Sequence, residues 1–354
     1  MFEMSGAASS TFLPRFVLWN WEKLNASRRE IPGSTQSPVS KRQKRMLTLF
    51  TTAKPFRGGD LTRQRNALRS WTLVHPDCQV ILFGDVPEAH EVAAELGIHH
   101  VPDVLRSEYG SVRLDDMFAR AQEMARHDLL CYANCDVIFL DSFARAVAAA
   151  TDYSKTFLMI GQRWDAPMEN LVNFADPAWQ TQLREEALRA GKMQSPAAVD
   201  YFVFSRGLYS RMPPFVIGRV YWDHWLVWRA RSMGAPVVDA SADVLAIHQN
   251  HDHSYHPAGL QGVRIDPESK RNRVLAGGQW HLYRIEHATH RLIDGRVEDK
   301  PGRWHVPFTF FLRTYASQLW YWILKSTFKL RHALGLHRNT FVPADERARS
   351  MLDE

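Results

Sequence analysis

The sequence has little cysteine and lacks a leader of the secretory kind. Its three cysteines show no Cys-x-x-Cys spacing, which excludes a disulfide framework and a zinc site of that type. The apolar stretch at 11–21 is broken by Pro14 and Arg15, and no small-residue cleavage site follows it. The HExxH pattern of zinc hydrolases is also missing. We therefore expect a protein of a reducing, cytoplasmic compartment.

The composition favours an ordinary folded protein. Hydrophobic residues make up 45% and charged residues 23% of the 354 positions. The formal charge of +6 favours anionic partners such as nucleotide phosphates, nucleic acid or an acidic membrane, although a solvated basic surface explains it equally well. We divide the chain into an N-terminal extension with a basic linker (1–45), a globular domain (46–256) and a C-terminal extension (257–354).

Strand and helix patterns alternate from residue 46 onward, which is typical of a parallel sheet covered by helices. Helices are predicted at about 62–71 and from residue 114, where apolar residues recur every three or four positions. The predicted fold class is therefore α/β, with a mostly parallel central sheet flanked by helices. Strands are predicted at 46–52, 79–83, 98–101, 129–133, 157–160, 200–204 and 244–247.

The stretch from Leu129 to Asp136 carries the most information about function. Its apolar half predicts a strand buried on both faces, and Asn134 and Asp136 follow on one side at the C-terminal edge. Open α/β sheets bind ligands beyond that edge, and a carboxylate there suits a divalent cation that bridges to phosphate. Asp136 is therefore the first candidate metal ligand, the alternative being an Asp that caps the next turn.

The second candidate ligand is His248, which follows the apolar run 244–247 and is therefore also expected at a strand end. Neutral imidazole is a common metal ligand. His251, His253 and His256 are close to it in sequence. We interpret these three as outer contacts around the metal or as acceptor contacts.

The order of the motifs resembles that of GT-A-type glycosyltransferases over residues 46–256. The motifs are a strand that ends in Thr-Thr, a strand closed by Gly-Asp, a Leu-Asp-Asp-Met-Phe helix, Tyr-Ala-Asn-Cys-Asp, Trp-Asp-His-Trp and His-Gln-Asn-His. The resemblance implies a Rossmann-like GT-A catalytic domain and a nucleotide-sugar donor, most commonly a UDP-sugar. It also implies Mn²⁺ or Mg²⁺ held by an Asp-x-Asp motif. Here Asp136 matches the second carboxylate and His248 the C-terminal ligand, while Asn134 replaces the first carboxylate.

Further residues are candidates for the site. Asp223, at a predicted helix start beside tryptophans, is the candidate catalytic base, although an Asp at a helix start is also a common cap. Asn134 is expected at the ribose or at a metal-bound water, and Arg163 at a phosphate or the acceptor. The resemblance implies that Thr51, Thr52 and Asp85 contact the nucleotide. Arg113 is a candidate contact to a phosphate, the alternative being an exposed Arg, and Asp200 is a candidate contact to the sugar hydroxyls, the alternative being a cap of the following strand.

The segment 304–334 is rich in aromatic and basic residues. Its longest stretch without a charge, 314–324, is shorter than the ~20 apolar residues of a membrane-spanning helix. The pattern predicts a helix that lies in an anionic membrane interface, at the inner face of the membrane. A lipid-linked or glycan acceptor fits that placement. The alternative is that the aromatic residues close the catalytic domain or form a dimer contact.

Two other classes of function remain open. Net basicity is compatible with a nucleic-acid-binding protein, but the sequence shows no RRM, KH, zinc-finger or helix-turn-helix signature, and we expect no nucleic-acid partner. The amide at Asn134 is compatible with a catalytically inactive, glycosyltransferase-like scaffold that binds nucleotide. A fold alone does not separate such a scaffold from an enzyme.

Overall fold

The computed structural model describes residues 47–251 and 259–300. The predicted extension 1–45, His253, His256 and the aromatic segment 304–334 lie outside these ranges. The strands are β1 Leu47–Thr52, β2 Gln79–Phe83, β3 His99–Val101, β4 Leu129–Ala133, β5 Val137–Ile138, β6 Leu158–Ile160, β7 Arg163–Ala166, β8 Lys192–Met193, β9 Tyr201–Ser205, β10 Val237–Asp239, β11 Ala246–Gln249, β12 His290–Ile293 and β13 Arg296–Asp299. The helices are α1 Gly58–Thr72, α2 Ala89–Leu96, α3 Leu114–Met124, α4 Asp141–Tyr153, α5 Trp179–Ala190, α6 Trp222–Ser232, α7 Gly259–Ile265 and α8 Pro267–Leu275.

The central sheet has nine strands in the order β13-β12-β10-β6-β9-β4-β1-β2-β3. Neighbouring strands run parallel, except that β9 is antiparallel to both β4 and β6, and β13 is antiparallel to β12. The predicted α/β class with a mostly parallel central sheet is thereby confirmed. Because β9 runs the opposite way, its first residue, Tyr201, pairs with the last residue of β4, Ala133. The start of β9 therefore lies at the edge of the sheet where ligands are expected.

Helices cover both faces of this sheet, because successive residues of a strand point to opposite faces. In β1, Leu49 packs in one core with Leu68 and Trp71 of α1. Its neighbour Phe50 packs in the other core with Phe118 of α3. These residues are fully buried, and the strands read as continuous apolar runs for that reason.

A second, four-stranded sheet has the order β5-β11-β7-β8. β5 and β11 run antiparallel, and β11 and β7 run parallel. Its strands are two to four residues long. The sequence analysis did not predict a second sheet. This small sheet stands beside the C-terminal end of β4, because β5 begins four residues after β4 ends.

Several predicted boundaries differ from the structure. The first helix begins at Gly58 instead of residue 62, and the strand predicted at 244–247 spans Ala246–Gln249 and belongs to the small sheet. The catalytic domain was predicted to end at 256, yet residues 290–299 supply β12 and β13 of the central sheet. Hydrogen bonds between strands decide these limits, and the local hydrophobic pattern does not record them. Within the described part of the chain, no helix is long and apolar enough to cross a membrane.

Candidate metal and donor site

Asp136 lies in a turn and not on a strand. β4 ends at Ala133, and the backbone N–H of Val137 donates to the carbonyl of Asn134 at 3.1 Å. Strand alternation therefore does not apply to Asn134 and Asp136. The turn instead leads directly into β5, and β5 pairs with β11. This connection brings the Asp136 carboxylate to β11.

His248 lies within β11, not beyond its end as predicted. It pairs with Val137 of β5 on one side and with Asp165 of β7 on the other. Its neighbours in the sheet therefore come from the turn after β4 and from the middle of β7. The expected meeting of Asp136 with His248 nevertheless occurs, through the small sheet.

Asp136, His248 and His251 form a group that can hold a metal ion. Oδ2 of Asp136 lies 3.0 Å from Nε2 of His251 and 3.7 Å from Nε2 of His248. One potential ligand atom from each residue lies within 4.8 Å of the other two. Oδ1 of Asp136 is buried and accepts no hydrogen bond among residues 47–251 and 259–300. A buried carboxylate oxygen without a partner fits a cation ligand, because leaving it unpaired is costly.

The chemistry of the group narrows the choice of ion. Mg²⁺ prefers oxygen ligands, whereas imidazole nitrogen suits transition ions. Two imidazoles and one carboxylate therefore fit Mn²⁺ better than Mg²⁺.

The ionisation of the group follows from its neighbours. Burial alone would raise the pKa of Asp136, but the hydrogen bond with His251 and the charges of His248 and Lys54 lower it to about 2. Burial alone would lower the pKa of His248, but the carboxylates of Asp165, Asp136 and Asp200 outweigh it and raise the pKa. Asp136 is therefore ionised, as a metal ligand must be, whereas His248 would have to release a proton on binding a metal.

Asp165 supports His248 from behind. Its Oδ1 lies 3.0 Å from Nδ1 of His248 and 2.9 Å from Nε of Arg163. Within the described ranges Nδ1 of His248, Nε of Arg163 and Oδ1 of Asp165 make no hydrogen bond, so these contacts are charge pairs at close range. Nε2 of His248 lies on the side of Asp136. Arg163 also donates from an Nη atom to Asp200 at 3.0 Å. Arg163 therefore links two carboxylates of the site.

A cavity of about 520 Å³ opens beside the metal group. His248 and His251 form one wall, and Arg163 and Lys192 contribute positive charge. Gly191 in the same lining has no room for a side chain, since a Cβ there would lie 2.5 Å from the Asp165 carbonyl. Asp165, Ala190, Gln194 and Asn250 complete the lining. The cavity is polar and large enough for part of a sugar.

Asn134 and Asp200 both lie at the end of β4. The Asn134 side-chain oxygen accepts a hydrogen bond from the Tyr132 hydroxyl at 3.0 Å, and its backbone N–H donates to the Asp200 carbonyl at 2.9 Å. Asp200 precedes β9 instead of starting it as predicted. Its burial raises its pKa in spite of the pairing with Arg163. The predicted contacts of both residues with the donor stay predictions.

Asp223 lies in the first turn of α6. Its Oδ1 is buried and makes no hydrogen bond within the described ranges, so this oxygen does not cap the helix. Tyr221, two residues before Asp223, has a φ of 88°, a left-handed conformation that is strained for a non-glycine residue. The ring of Trp222, the residue before Asp223, lies 5.2 Å from the ring of Tyr132, so the start of α6 packs beside β4.

The predicted nucleotide contacts lie along β1, β2 and α3. Thr51 is buried and its hydroxyl donates to the Thr52 carbonyl at 3.1 Å. Asp85 is exposed and pairs with Arg106. Arg113 makes two hydrogen bonds to Asp115, at 3.1 and 2.6 Å, so its guanidinium already has a carboxylate partner. Their contacts with a nucleotide stay predictions.

Sequence reasoning missed two residues of the metal group and its surroundings. His251 was interpreted as an outer contact, yet its Nε2 lies closer to Oδ2 of Asp136 than that of His248, at 3.0 Å against 3.7 Å. The spacing of three residues between the histidines was the available signal. Asp165 was not singled out at all, because its pairing with His248 joins strands about 80 residues apart in the chain.

The chain is similar, at low identity, to several solved structures. No family model matches the chain, and neither does any curated protein sequence. Glucosyl-3-phosphoglycerate synthase from Mycobacterium tuberculosis aligns with 66% of this chain and 81% of its own, at 12% identity and a TM-score of 0.39. The same synthase with Mn²⁺, UDP-glucose and phosphoglyceric acid aligns over 66% and 80%, at 12% identity and a TM-score of 0.39. A mannosyltransferase from Pyrobaculum calidifontis with GDP-Man and Mn²⁺ aligns over 68% and 66%, at 11% identity and a TM-score of 0.40.

These solved structures are glycosyltransferases of the type that the sequence motifs resemble. Similarity at this level assigns neither a donor nor an acceptor to this chain.

Proposed function

We propose that the protein is a metal-assisted glycosyltransferase that uses a nucleotide-diphosphate sugar. The observation that carries the proposal is the meeting of Asp136, His248 and His251 at the edge of the central sheet, next to an open polar cavity. An unpartnered buried oxygen on Asp136 supports a cation at that place. A cation at that place would stabilise the negative charge that develops on the departing diphosphate.

The reaction needs stabilisation of a leaving diphosphate and removal of a proton. The acceptor oxygen bonds to the anomeric carbon, the bond from that carbon to the diphosphate oxygen breaks, and the nucleoside diphosphate leaves with the electron pair. A divalent ion held by Asp136, His248 and His251 supplies Lewis-acid stabilisation of that charge when bound. The proton of the acceptor hydroxyl passes to Asp223, a contribution of typically ~10²–10⁴-fold for a general base.

We propose a UDP-sugar as donor and Mn²⁺ as the preferred ion. Thr51, Thr52 and Asp85 would contact the nucleotide, Arg113 a phosphate, and Asn134 and Asp200 the ribose and sugar. The acceptor would be a glycan or a lipid-linked saccharide at the inner face of the membrane, with 304–334 as a peripheral contact. Cell fractionation of a chain truncated at residue 302 tests that contact, because a truncated protein that still sediments with membranes would exclude it.

The amide of Asn134 keeps a second candidate open, a nucleotide-binding scaffold without activity. Its side-chain oxygen already accepts a hydrogen bond from Tyr132, so it offers less to a metal than a carboxylate would. Binding without turnover distinguishes the scaffold from the enzyme.

The test compares wild type with Asp136→Asn and Asp223→Asn. We expect Mn²⁺ with UDP to stabilise the wild type, by ~2.7 kcal/mol at a hundredfold excess over the dissociation constant, measured as a thermal shift. Asp136→Asn should lose this stabilisation, because it removes the carboxylate ligand. Asp223→Asn should keep it and lose transfer, measured as release of the nucleoside diphosphate from donor plus acceptor.

Asp141→Asn, on the exposed start of α4, is the control for removing a carboxylate. An Mn²⁺-dependent shift of normal size in Asp136→Asn would contradict the proposal. A shift in wild type without turnover of any donor would favour the scaffold.

A further inference from the structure

Two fully buried amides, Gln249 and Asn66, lie beneath the metal group. Gln249 lies in β11 between His248 and His251. Its side-chain N–H groups donate to the carbonyls of Arg63, at 2.7 Å, and Asp136, at 3.1 Å. Its backbone N–H donates to the same Asp136 carbonyl at 3.2 Å. One residue therefore donates two hydrogen bonds to the carbonyl of Asp136.

Asn66 of α1 extends this arrangement. Its Nδ2 donates to Oε1 of Gln249 at 2.9 Å and to the carbonyl of Asn170 at 3.0 Å. Its Oδ1 accepts from the N–H of Val172 at 2.9 Å. Asn170 and Val172 follow β7, the strand that carries Asp165. The two amides thus join α1, the turn after β4, β11 and the segment after β7.

The side-chain amides of Gln249 and Asn66 have hydrogen-bond partners for all of their N–H groups and oxygens. Each amide uses both N–H groups as donors, and each side-chain oxygen accepts a bond. A buried polar network in this condition is rigid, because any displacement leaves a buried donor or acceptor unpaired. Rigidity matters here because the ligand atoms come from segments more than 100 residues apart in the chain.

We propose that Gln249 and Asn66 are positioning residues of the metal site. They fix the Asp136 backbone against β11, and thereby the separation at which the carboxylate meets His248 and His251. The inference rests on the proposed function in one respect, that a metal binds to this group. Partners behind the ligands of a metal site commonly change its affinity by about 10–100-fold when they are lost.

The molecule offers a matched control in Asn272. It is also fully buried. Its Nδ2 donates to the carbonyls of Val216, at 3.0 Å, and Val220, at 3.3 Å, and its Oδ1 accepts from the N–H of Val216 at 3.1 Å. None of these partners belongs to the segments that carry the metal group. Loss of this amide reports the cost of a buried amide alone.

The experiment titrates Mn²⁺ into wild type, Gln249→Met, Asn66→Leu and Asn272→Leu, with free Mn²⁺ measured by its paramagnetic resonance signal. We expect Gln249→Met to weaken Mn²⁺ binding by about tenfold or more, within the range for such partners. Asn66→Leu should weaken Mn²⁺ binding less, because Asn66 contacts Gln249 and not Asp136 itself. Asn272→Leu should bind Mn²⁺ as wild type does, although all three variants lower the Tm.

The outcomes separate this inference from the proposed function. A wild-type protein that binds no Mn²⁺ overturns the proposed function and this inference with it. Wild-type binding with unchanged affinity in both Gln249→Met and Asn66→Leu, or with an equal loss in Asn272→Leu, overturns the positioning role alone. If Gln249→Met does not fold, the Mn²⁺ affinity of Asn66→Leu compared with that of Asn272→Leu tests the positioning role.

Discussion

The two sheets of the protein are built from different kinds of strand. In the central sheet, every residue of β4 and β9 is buried, and the side chains are almost all apolar. In the small sheet, three of the four residues of β7 are only partly buried, and two of them are the charged Arg163 and Asp165. The central sheet carries the core, whereas the small sheet carries charge into the candidate site.

The difference teaches where stability and chemistry reside. Burial of apolar side chains is the main favourable term in folding; β4 and β9 contribute to it along their whole length, whereas the small sheet adds a smaller cluster that includes Ile138, Ala166 and Ile247. The small sheet instead places an imidazole between two carboxylates, a costly arrangement that contributes a site for a cation. Changes in the first sheet should therefore alter the free energy of unfolding, and changes in the second should alter metal affinity.

The largest expected effect is on the central sheet. Phe204 of β9 is fully buried, and its ring stacks on Phe118 at 5.7 Å and contacts Tyr209 at 4.8 Å. We expect Phe204→Ala to lower the free energy of unfolding by about 3–5 kcal/mol, because it leaves a cavity among these rings. Urea unfolding measures the change.

The control for Phe204→Ala is Leu188→Ala, since the Leu188 side chain in α5 is about half exposed. It should change stability by no more than about 0.5 kcal/mol. The Mn²⁺ affinity of folded Phe204→Ala should equal that of wild type. A large loss of affinity in this variant would break the separation between the two sheets.

The next largest effect concerns His248 of β11 and His251, which follows that strand. If both are ligands, His248→Gln and His251→Gln should each weaken Mn²⁺ binding by at least about tenfold, the lower limit for loss of an outer partner of a metal site. Isothermal titration with Mn²⁺ measures the change. His281→Gln is the control, because His281 stacks on Trp228 at 3.7 Å, outside the metal group.

The two histidines need not behave alike. A loss in His248→Gln with normal affinity in His251→Gln would return His251 to the outer role that the sequence predicted. Equal losses would establish the three-ligand group and would sharpen the contrast between the sheets.

The difference between the two sheets also separates the features that the sequence could predict from those that it could not. The run from Leu129 to Ala133 is apolar and contiguous, so both the strand and the place of Asp136 after it could be predicted. β5 has two residues and β7 has a mixed sequence, so neither shows a hydrophobic period. The pairing of His248 with Asp165 depends on those strands. Local pattern therefore predicted Asp136 after the large sheet and His248 as a second candidate ligand, but it did not predict the small sheet that brings them together or the place of Asp165 beside His248.

The smallest expected effect lies on the nucleotide side of the central sheet, at Asp85 after β2. Its carboxylate is 64% exposed, and its ion pair with Arg106 is screened by water. Asp85→Asn should therefore change stability by less than about 1 kcal/mol. If Asp85 contacts the base, the same change should weaken UDP binding several-fold and leave Mn²⁺ binding without nucleotide unaltered.

Asp77→Asn is the matched control, because Asp77 is 68% exposed and precedes β2 at the opposite edge of the sheet. Equal UDP affinity in both variants would remove Asp85 from the donor site, and the nucleotide would then have to be held by Thr51, Thr52 and the metal group.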